Sequence, residues 1–322
     1  MVHLGHEPVF VDIDPTTACF DEHELAEAAR TGPAVAVLTY LFGLVPNLDR
    51  IIQILREHEV FVIEDFSQCL NGEFNGRRIG TFGDVSVYSA SSVKTFDTFG
   101  GGYLLASDPK LLKALRRRQS ELHPPRRADI VKAVTRNLIR NIASSRIPFA
   151  LGTFPALRLA TRFSKRAVGR FTGSRSVDPL TQLPTAWFRR YTSLQARTAL
   201  VELPKVVSRD SARRAAVDFV VSSSGVTDRP YGHPGQHHVY WQFIVYVREF
   251  ASAREVLAKH GVDCATTSLV LLTDLPRYPG QRPTPWARRL YELGVYLPCY
   301  HQLRQSELRR IAEAVSELVR QS

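Results

Sequence analysis

Short apolar runs alternate with stretches of helical period along the first third of the chain. VFVDID (9–14) reads as a β-rich run, followed by a helix-like stretch around Asp21 to Arg30. AVAVLTY (34–40) is a candidate buried strand. NLDRIIQILREHE (47–59) repeats its apolar residues at helical spacing, and VFVIED (60–65) is a further apolar strand ending in two acids. Strand, helix, strand, helix, strand at this spacing predicts parallel βαβ units. EFNGRRIG (73–80) predicts a hairpin turning at Asn75-Gly76, and DVSVYS (84–89) and GYLLAS (102–107) predict two more strands.

A basic helix is expected from Pro109 to Gln119, after which the pattern changes. Residues 122–176 mix arginine and lysine with apolar residues and prolines, as an insertion of amphipathic helices would. AWFRRYTSLQARTALVEL (186–203) and SRDSARRAAVDFVVS (208–222) predict two long helices. HVYWQFIVYV (238–247) predicts a strand, SAREVLAKHG (252–261) a helix ending at Gly261, and SELRRIAEAVSEL (306–318) a final helix. The pattern divides the chain into a large α/β domain over 1–203 and a smaller α+β domain over 204–322.

Composition narrows the class. The 322 residues, 44% hydrophobic and 23% charged, suffice for a substantial core. Cys19, Cys69, Cys264 and Cys299 lie far apart with no CxxC pair, which argues against a disulfide framework or zinc site and fits a reducing compartment. His233 and His237 have i,i+4 spacing, but Pro234 and Gly235 between them leave no shared helix face, so no metal site is expected. No signal-peptide pattern is visible and no run reaches the ~20 apolar residues that span a bilayer, so a cytoplasmic protein is expected. The net charge of +11 is localised: residues 122–176 carry 12 Lys/Arg and one acid, Asp129, while the remainder balances at 30 of each sign. Such a segment suits a solvated helical excursion, an anionic membrane face, an acidic nucleotide-sugar substrate or a protein partner. No nucleic-acid recognition motif accompanies it.

Two residues bear candidate chemistry. Asp65 ends an expected strand, and in open α/β sheets ligands bind beyond the carboxyl ends of strands. Lys94 follows another strand-like run within SASSVKTFDTFGGG. With both strands in one parallel sheet, lysine and aspartate reach a common crevice. Pyridoxal phosphate suits such a pair: a lysine amine forms a Schiff base with its aldehyde, and a carboxylate keeps its ring nitrogen protonated.

The run IEDFSQCLNGEFNGRRIGTFGDVSVYSASSVK resembles the pyridoxal-phosphate segment of the DegT/DnrJ/StrS sugar aminotransferases. The order of motifs, the 29-residue step from Asp65 to Lys94 and the intervening G-x-FGD, Gly80 to Asp84, all agree. GHEPVFVDIDP, LTYLFGLVPNLDRI and the tail HHVYWQFIVYV…LAKHGV…LGVYLPCY are similar to other segments of that family. The resemblance implies a fold-type I transferase: a mostly parallel sheet flanked by helices with a smaller C-terminal α+β domain. It implies pyridoxal 5′-phosphate as cofactor, Lys94 as the Schiff-base and proton-transfer residue, and Asp65 at the pyridinium nitrogen. Gln68 would contact the phenolic oxygen side, and Ser89 would donate to the phosphate. The implied reaction moves an amino group from an amino acid to a keto group of a nucleotide-linked sugar, in polysaccharide, lipopolysaccharide or sugar-antibiotic synthesis, by a homodimer. Lys94, where the dehydratase branch has histidine, points away from dehydration.

Three departures accompany the resemblance. The chain enters the family pattern after its usual N-terminal helix and Gly-Thr phosphate cradle. Phe188 stands where the family has an asparagine that reaches a neighbouring subunit's phosphate, and Arg190 keeps only the arginine of that motif. Phe99-Gly100-Gly101-Gly102 replaces a Gly-Glu-Gly-Gly. They imply an alternative: a truncated, catalytically impaired member with a binding or regulatory role.

Overall fold

The computed structural model describes residues 2–91, 94–153, 155–156, 183–267, 269–278 and 280–321. Helix α1 (Glu22–Ala29) opens at Asp21, whose Oδ1 accepts from the amides of His23 and Glu24 at 3.0 and 2.9 Å. Strand β1 (Val35–Thr39) leads to α2 (Leu48–Glu57), which buries Leu48, Ile51, Ile54 and Leu55 at the spacing its sequence shows. Strand β2 (Phe61–Asp65) follows, then a hairpin of β3 (Glu73–Phe74) and β4 (Arg77–Arg78). Asn75 and Gly76 turn it with φ of +49° and +74°.

Strands β5 (Val85–Ser89) and β6 (Gly102–Ala106) complete a sheet ordered β1-β2-β5-β6. β1/β2 and β2/β5 run parallel, with Asp65 opposite both Thr39 and Val87; β6 is antiparallel to β5. The carboxyl ends of β2 and β5 are therefore neighbours.

Beyond the sheet come α3 (Pro109–Glu121) and α4 (Arg127–Ser144). The later half of the basic insertion, including Arg158, Arg162, Lys165, Arg166, Arg170 and Arg175, lies outside the described residues. The chain continues as α5 (Ser193–Glu202), α6 (Val206–Ser224), β7 (Phe243–Tyr246), α7 (Phe250–Lys259), β8 (Ala265–Thr266), α8 (Pro285–Leu293), β9 (Gly294–Leu297) and α9 (Gln305–Gln321). The second sheet is antiparallel with order β7-β9-β8, and α6 packs along α9.

Two apolar cores result. One joins α2, β2 and β5 through Ile51, Val62 and Tyr88; the other joins α6, β7 and α9 through Val217, Phe243 and Ile311. Phe42 and Leu44 enter the second core while Val239 enters the first, which ties the two together. Cys19, Cys69, Cys264 and Cys299 are free thiols.

Three expected elements differ. The 9–14 run is not a strand; only Ile13 bridges, to Phe20. Its Asp12 is consumed instead as a cap, accepting from the amides of Trp286 (2.9 Å) and Ala287 (2.8 Å) at the start of α8. The 186–203 helix begins only at Ser193, because Thr192 and Gln195 form a reciprocal capping box there. The 238–247 strand is shortened to 243–246, since residues 238–242 are drawn into bonds with the 42–45 turn: His238 Nδ1 accepts from Val45, and Val239 donates to Gly43. The apolar and polar residues of 285–297, unassigned from the sequence, form α8 and β9.

One buried acid organises the first sheet. Glu64 is fully enclosed, and four donors converge on it: Tyr40 Oη (2.6 Å) and the amides of Gly80 (2.9 Å), Phe82 (2.6 Å) and Gly83 (2.5 Å). Asp84 then accepts from the amide of Val62 (2.7 Å) and from Arg56 (2.8 Å). The Gly-x-Phe-Gly-Asp stretch is thus a backbone cradle for one carboxylate, followed by an acid that closes the strand edge. Glu64→Leu is expected to leave four donors, two of them buried, without an acceptor and to lower unfolding free energy by about 3–5 kcal/mol. Urea denaturation checks this; a loss below about 1 kcal/mol would sink the assignment.

Candidate active site

Consecutive strand residues point to opposite faces, so Glu64 turned into the cradle turns Asp65 the other way. Asp65 is half-buried at the end of β2. Its Oδ1 accepts from the Ser67 amide at 3.0 Å, and its Oδ2 has no hydrogen bond among the described residues. At the end of the adjacent β5, the Ser89 amide donates to Ser67 Oγ (2.9 Å) and Ser89 Oγ donates to Ser91 Oγ (3.1 Å). A small cluster of hydroxyls therefore lies beside Asp65.

Lys94 follows in the loop that leaves β5. Burial pulls its ammonium below the ordinary value, while the negative charge of Asp65 acts in the opposite direction. The two groups are thus within electrostatic reach. Lys94 Nζ lies 4.7 Å from the centre of the Trp241 indole, a ring supplied from just ahead of β7. Trp241 lay hidden within a run expected as strand.

The loop is closed on itself. Ala90 exchanges backbone bonds with Gly101, Thr98 and Gly100. Phe99 and Gly100 have φ of +63° and +114°, and a side chain on Gly101 would strike the Tyr191 ring. Tyr191 Oη donates to Thr98 Oγ1 (2.7 Å), and Gln195 Nε2 donates to the Gly100 carbonyl (3.0 Å). The entry to α5 therefore grips the glycine run, a role that replaces the expected helix at 186–192.

The neighbour of Lys94 is clamped from α6. Arg213 Nη1 donates to Thr95 Oγ1 at 2.6 Å and Arg209 Nη1 donates to the Thr95 carbonyl at 3.3 Å. Arg209 is held in turn by Glu202 at 2.6 Å. An i,i+4 pair of guanidiniums on one helix face thus fixes the residue beside the lysine. Helical period alone did not distinguish this face.

The remaining sequence candidates are placed as follows. Gln68 Oε1 accepts from the Phe42 amide at 2.6 Å, so its carbonyl supports a turn in which Phe42 has φ of +61°. Phe188 is half exposed, and the Arg190 amide donates to the His123 carbonyl. Among the described residues no group of three His, Cys, Asp or Glu is arranged to hold a metal. The arrangement can do two things: present an amine with reduced proton affinity, and hold a carboxylate oxygen ready for a cationic partner. Both suit pyridoxal phosphate.

Residues 1–129 match the model of the DegT/DnrJ/EryC1/StrS aminotransferase family. An L-glutamine:2-deoxy-scyllo-inosose aminotransferase of Streptomyces kanamyceticus is 32% identical over 115 residues, 36% of this chain and 27% of the relative. A UDP-N-acetyl-3-dehydro-alpha-D-glucosamine 3-aminotransferase of Acidithiobacillus ferrooxidans is 23% identical over 98% of this chain and 72% of its own length. Among solved structures, the aminotransferase TlmJ from Streptoalloteichus hindustanus superposes with a TM-score of 0.70 at 20% identity, covering 99% of this chain and 75% of that one. The fold is that of the fold-type I sugar aminotransferases. The chain spans only about a quarter to a third of the length of several curated relatives it matches.

Asp210, between the two arginines, supplies a pH signature. It is 1% exposed, neither oxygen has a hydrogen bond, and Arg213 Nη1 stands 3.7 Å away. Burial pushes its carboxyl from an ordinary 3.8 up to about 6, against the opposing pull of Arg213 and Arg209. The folded state therefore holds this proton more tightly than the unfolded chain. Its contribution is most favourable below pH 3.8 and is lost as pH rises through about 6, a span worth roughly 3 kcal/mol. Asp210→Asn is expected to flatten the stability profile between pH 4 and 6. Thermal unfolding across that range checks it, and an unchanged slope would refute the assignment.

Proposed function

We propose that this chain is a pyridoxal-phosphate-dependent aminotransferase acting on a keto group of a nucleotide-linked sugar. The observation that carries the reading is Asp65 at the carboxyl end of β2 within electrostatic reach of Lys94, in the loop that leaves the neighbouring parallel β5, with the lysine's proton affinity reduced by burial. The relative matched along nearly the whole chain is named for a UDP-linked 3-dehydro sugar, which supports this substrate class. Glutamate or glutamine is the amino donor in this reading, and a homodimer the working form.

When bound, pyridoxal phosphate supplies an electron sink for carbanionic character at the donor's Cα. Lys94 is the residue that would hold the cofactor. Its free Nζ would take the proton from the donor's Cα and return it, and the lowered proton affinity leaves a larger share of free amine. Asp65 keeps a negative charge against the ring nitrogen, with the Ser67 amide fixing its orientation. Ser89 would turn its hydroxyl from Ser91 to the phosphate, and Gln68, anchored through its carbonyl, would offer its NH2 to the phenolic side. Trp241 sets its ring face 4.7 Å from the lysine's Nζ.

Titration of the purified protein with pyridoxal phosphate is expected to give a visible absorbance band. Borohydride reduction should then place the adduct on Lys94 by peptide mapping. Lys94→Ala removes band and adduct; Asp65→Ala lowers transamination by roughly a hundredfold or more. Absence of the band in the wild-type protein overturns the cofactor assignment. A band without amino transfer to nucleotide-linked keto sugars would favour the binding or regulatory role.

A further inference from the structure

Helix α4 leaves an apolar stripe in water. A surface helix ordinarily turns its apolar stripe to the core and its polar side to water. Here the docked side sets a polar anchor among the half-buried Ile130, Ala133 and Val134. Asn137, 4% exposed, donates from Nδ2 to Asp97 Oδ2 at 2.5 Å, and Arg140 Nη2 reaches the same oxygen at 3.2 Å. Asn141 Nδ2 donates to Asn137 Oδ1, extending the network along the helix. These bonds fix the rotation of α4 about its own axis.

The opposite side carries Val131, Thr135, Leu138 and Ile142 on one row, with Ile139 on the next. Val131, Leu138, Ile139 and Ile142 are 63%, 59%, 61% and 54% exposed. Lys132 and Arg136 share the row of Ile139, and Arg127 lies one turn ahead of Val131. None of these three cations has an ion pair among the described residues, whereas the helix's one acid, Asp129, is paired with Arg126 at 3.0 Å. The stripe is open, shallow and aliphatic, bordered by positive charge. Trp187 and Phe188, 60% and 50% exposed, lie on the segment whose Arg189 bridges to His123 just ahead of α4.

Aliphatic side chains flanked by free cations, with exposed aromatics nearby, match the chemistry of an anionic lipid interface. A protein partner is ordinarily met by a cluster of buried anchors in a pocket, not by a bare aliphatic row. No helix among the described residues is long and apolar enough to cross a membrane, so the contact would be peripheral. We propose that α4 lies on an anionic bilayer surface, with Val131, Leu138 and Ile142 in the upper acyl region and Lys132 and Arg136 at the headgroups. This surface does not depend on the chemistry assigned to Lys94.

Vesicle sedimentation tests it, with phosphatidylcholine alone and with phosphatidylcholine mixed with phosphatidylserine. The wild-type protein is expected to bind the mixed vesicles and to be released by salt. Leu138→Asp/Ile142→Asp and Lys132→Glu/Arg136→Glu should each weaken binding roughly tenfold or more. Circular dichroism and thermal unfolding of both variants confirm that the exposed substitutions leave the fold intact. Failure of the wild-type protein to bind, or equal binding by both folded variants, overturns the proposal. So does a dimer, measured by light scattering, that the same substitutions dissociate, because the stripe would then be a self-association face.

Discussion

A carboxylate taken wholly out of water is tolerated only where its lone pairs are met, and Glu64 meets Tyr40 and three consecutive-loop amides. Everything at the candidate active site follows from that convergence. The amides of Gly80, Phe82 and Gly83 can face one acid only if the backbone bends there, which sets where β5 begins. Asp84 then ties the bend to Val62. With β2 and β5 locked in register, Asp65 falls opposite Val87, and the loop leaving β5 brings Lys94 within electrostatic reach of it.

The lysine is held by parts of the chain that are distant in sequence. Tyr191 and Gln195 grip the glycines behind it, Arg209 and Arg213 grip Thr95, Asn137 and Arg140 grip Asp97, and Trp241 sets its ring face by the amine. The Asp97 contact also anchors α4 and fixes which side it turns to water. One loop thus couples the candidate lysine to a surface helix.

Much of the first sheet was legible because α2, β1, β2 and β5 each carry a local apolar period that no tertiary contact overrides. The hairpin was legible through Asn75-Gly76, whose backbone preference is intrinsic. Asp65 and Lys94 stood out through spacing and family resemblance, but the adjacent acid, Glu64, did not. Two neighbouring acids at a strand end look alike until the fold turns one inward. The 9–14 run misled because Asp12 is committed to a helix start more than 270 residues away, information that no local window contains. Tyr191, Arg209, Arg213 and Trp241 were hidden for the same reason, since each acts through a partner far along the chain.

The two halves of the site also differ in when they can form. The donors to Glu64 are separated from it by 16 to 24 residues, so its cradle closes a short loop. The bonds of Arg209 and Arg213 to Thr95 span 114 and 118 residues. On a growing chain that interval corresponds to a lag on the order of ten seconds between the two events. Through that lag the sheet and its aspartate are already set while the lysine loop still waits for its clamp. The loop of the candidate lysine is therefore clamped later than the sheet it leaves.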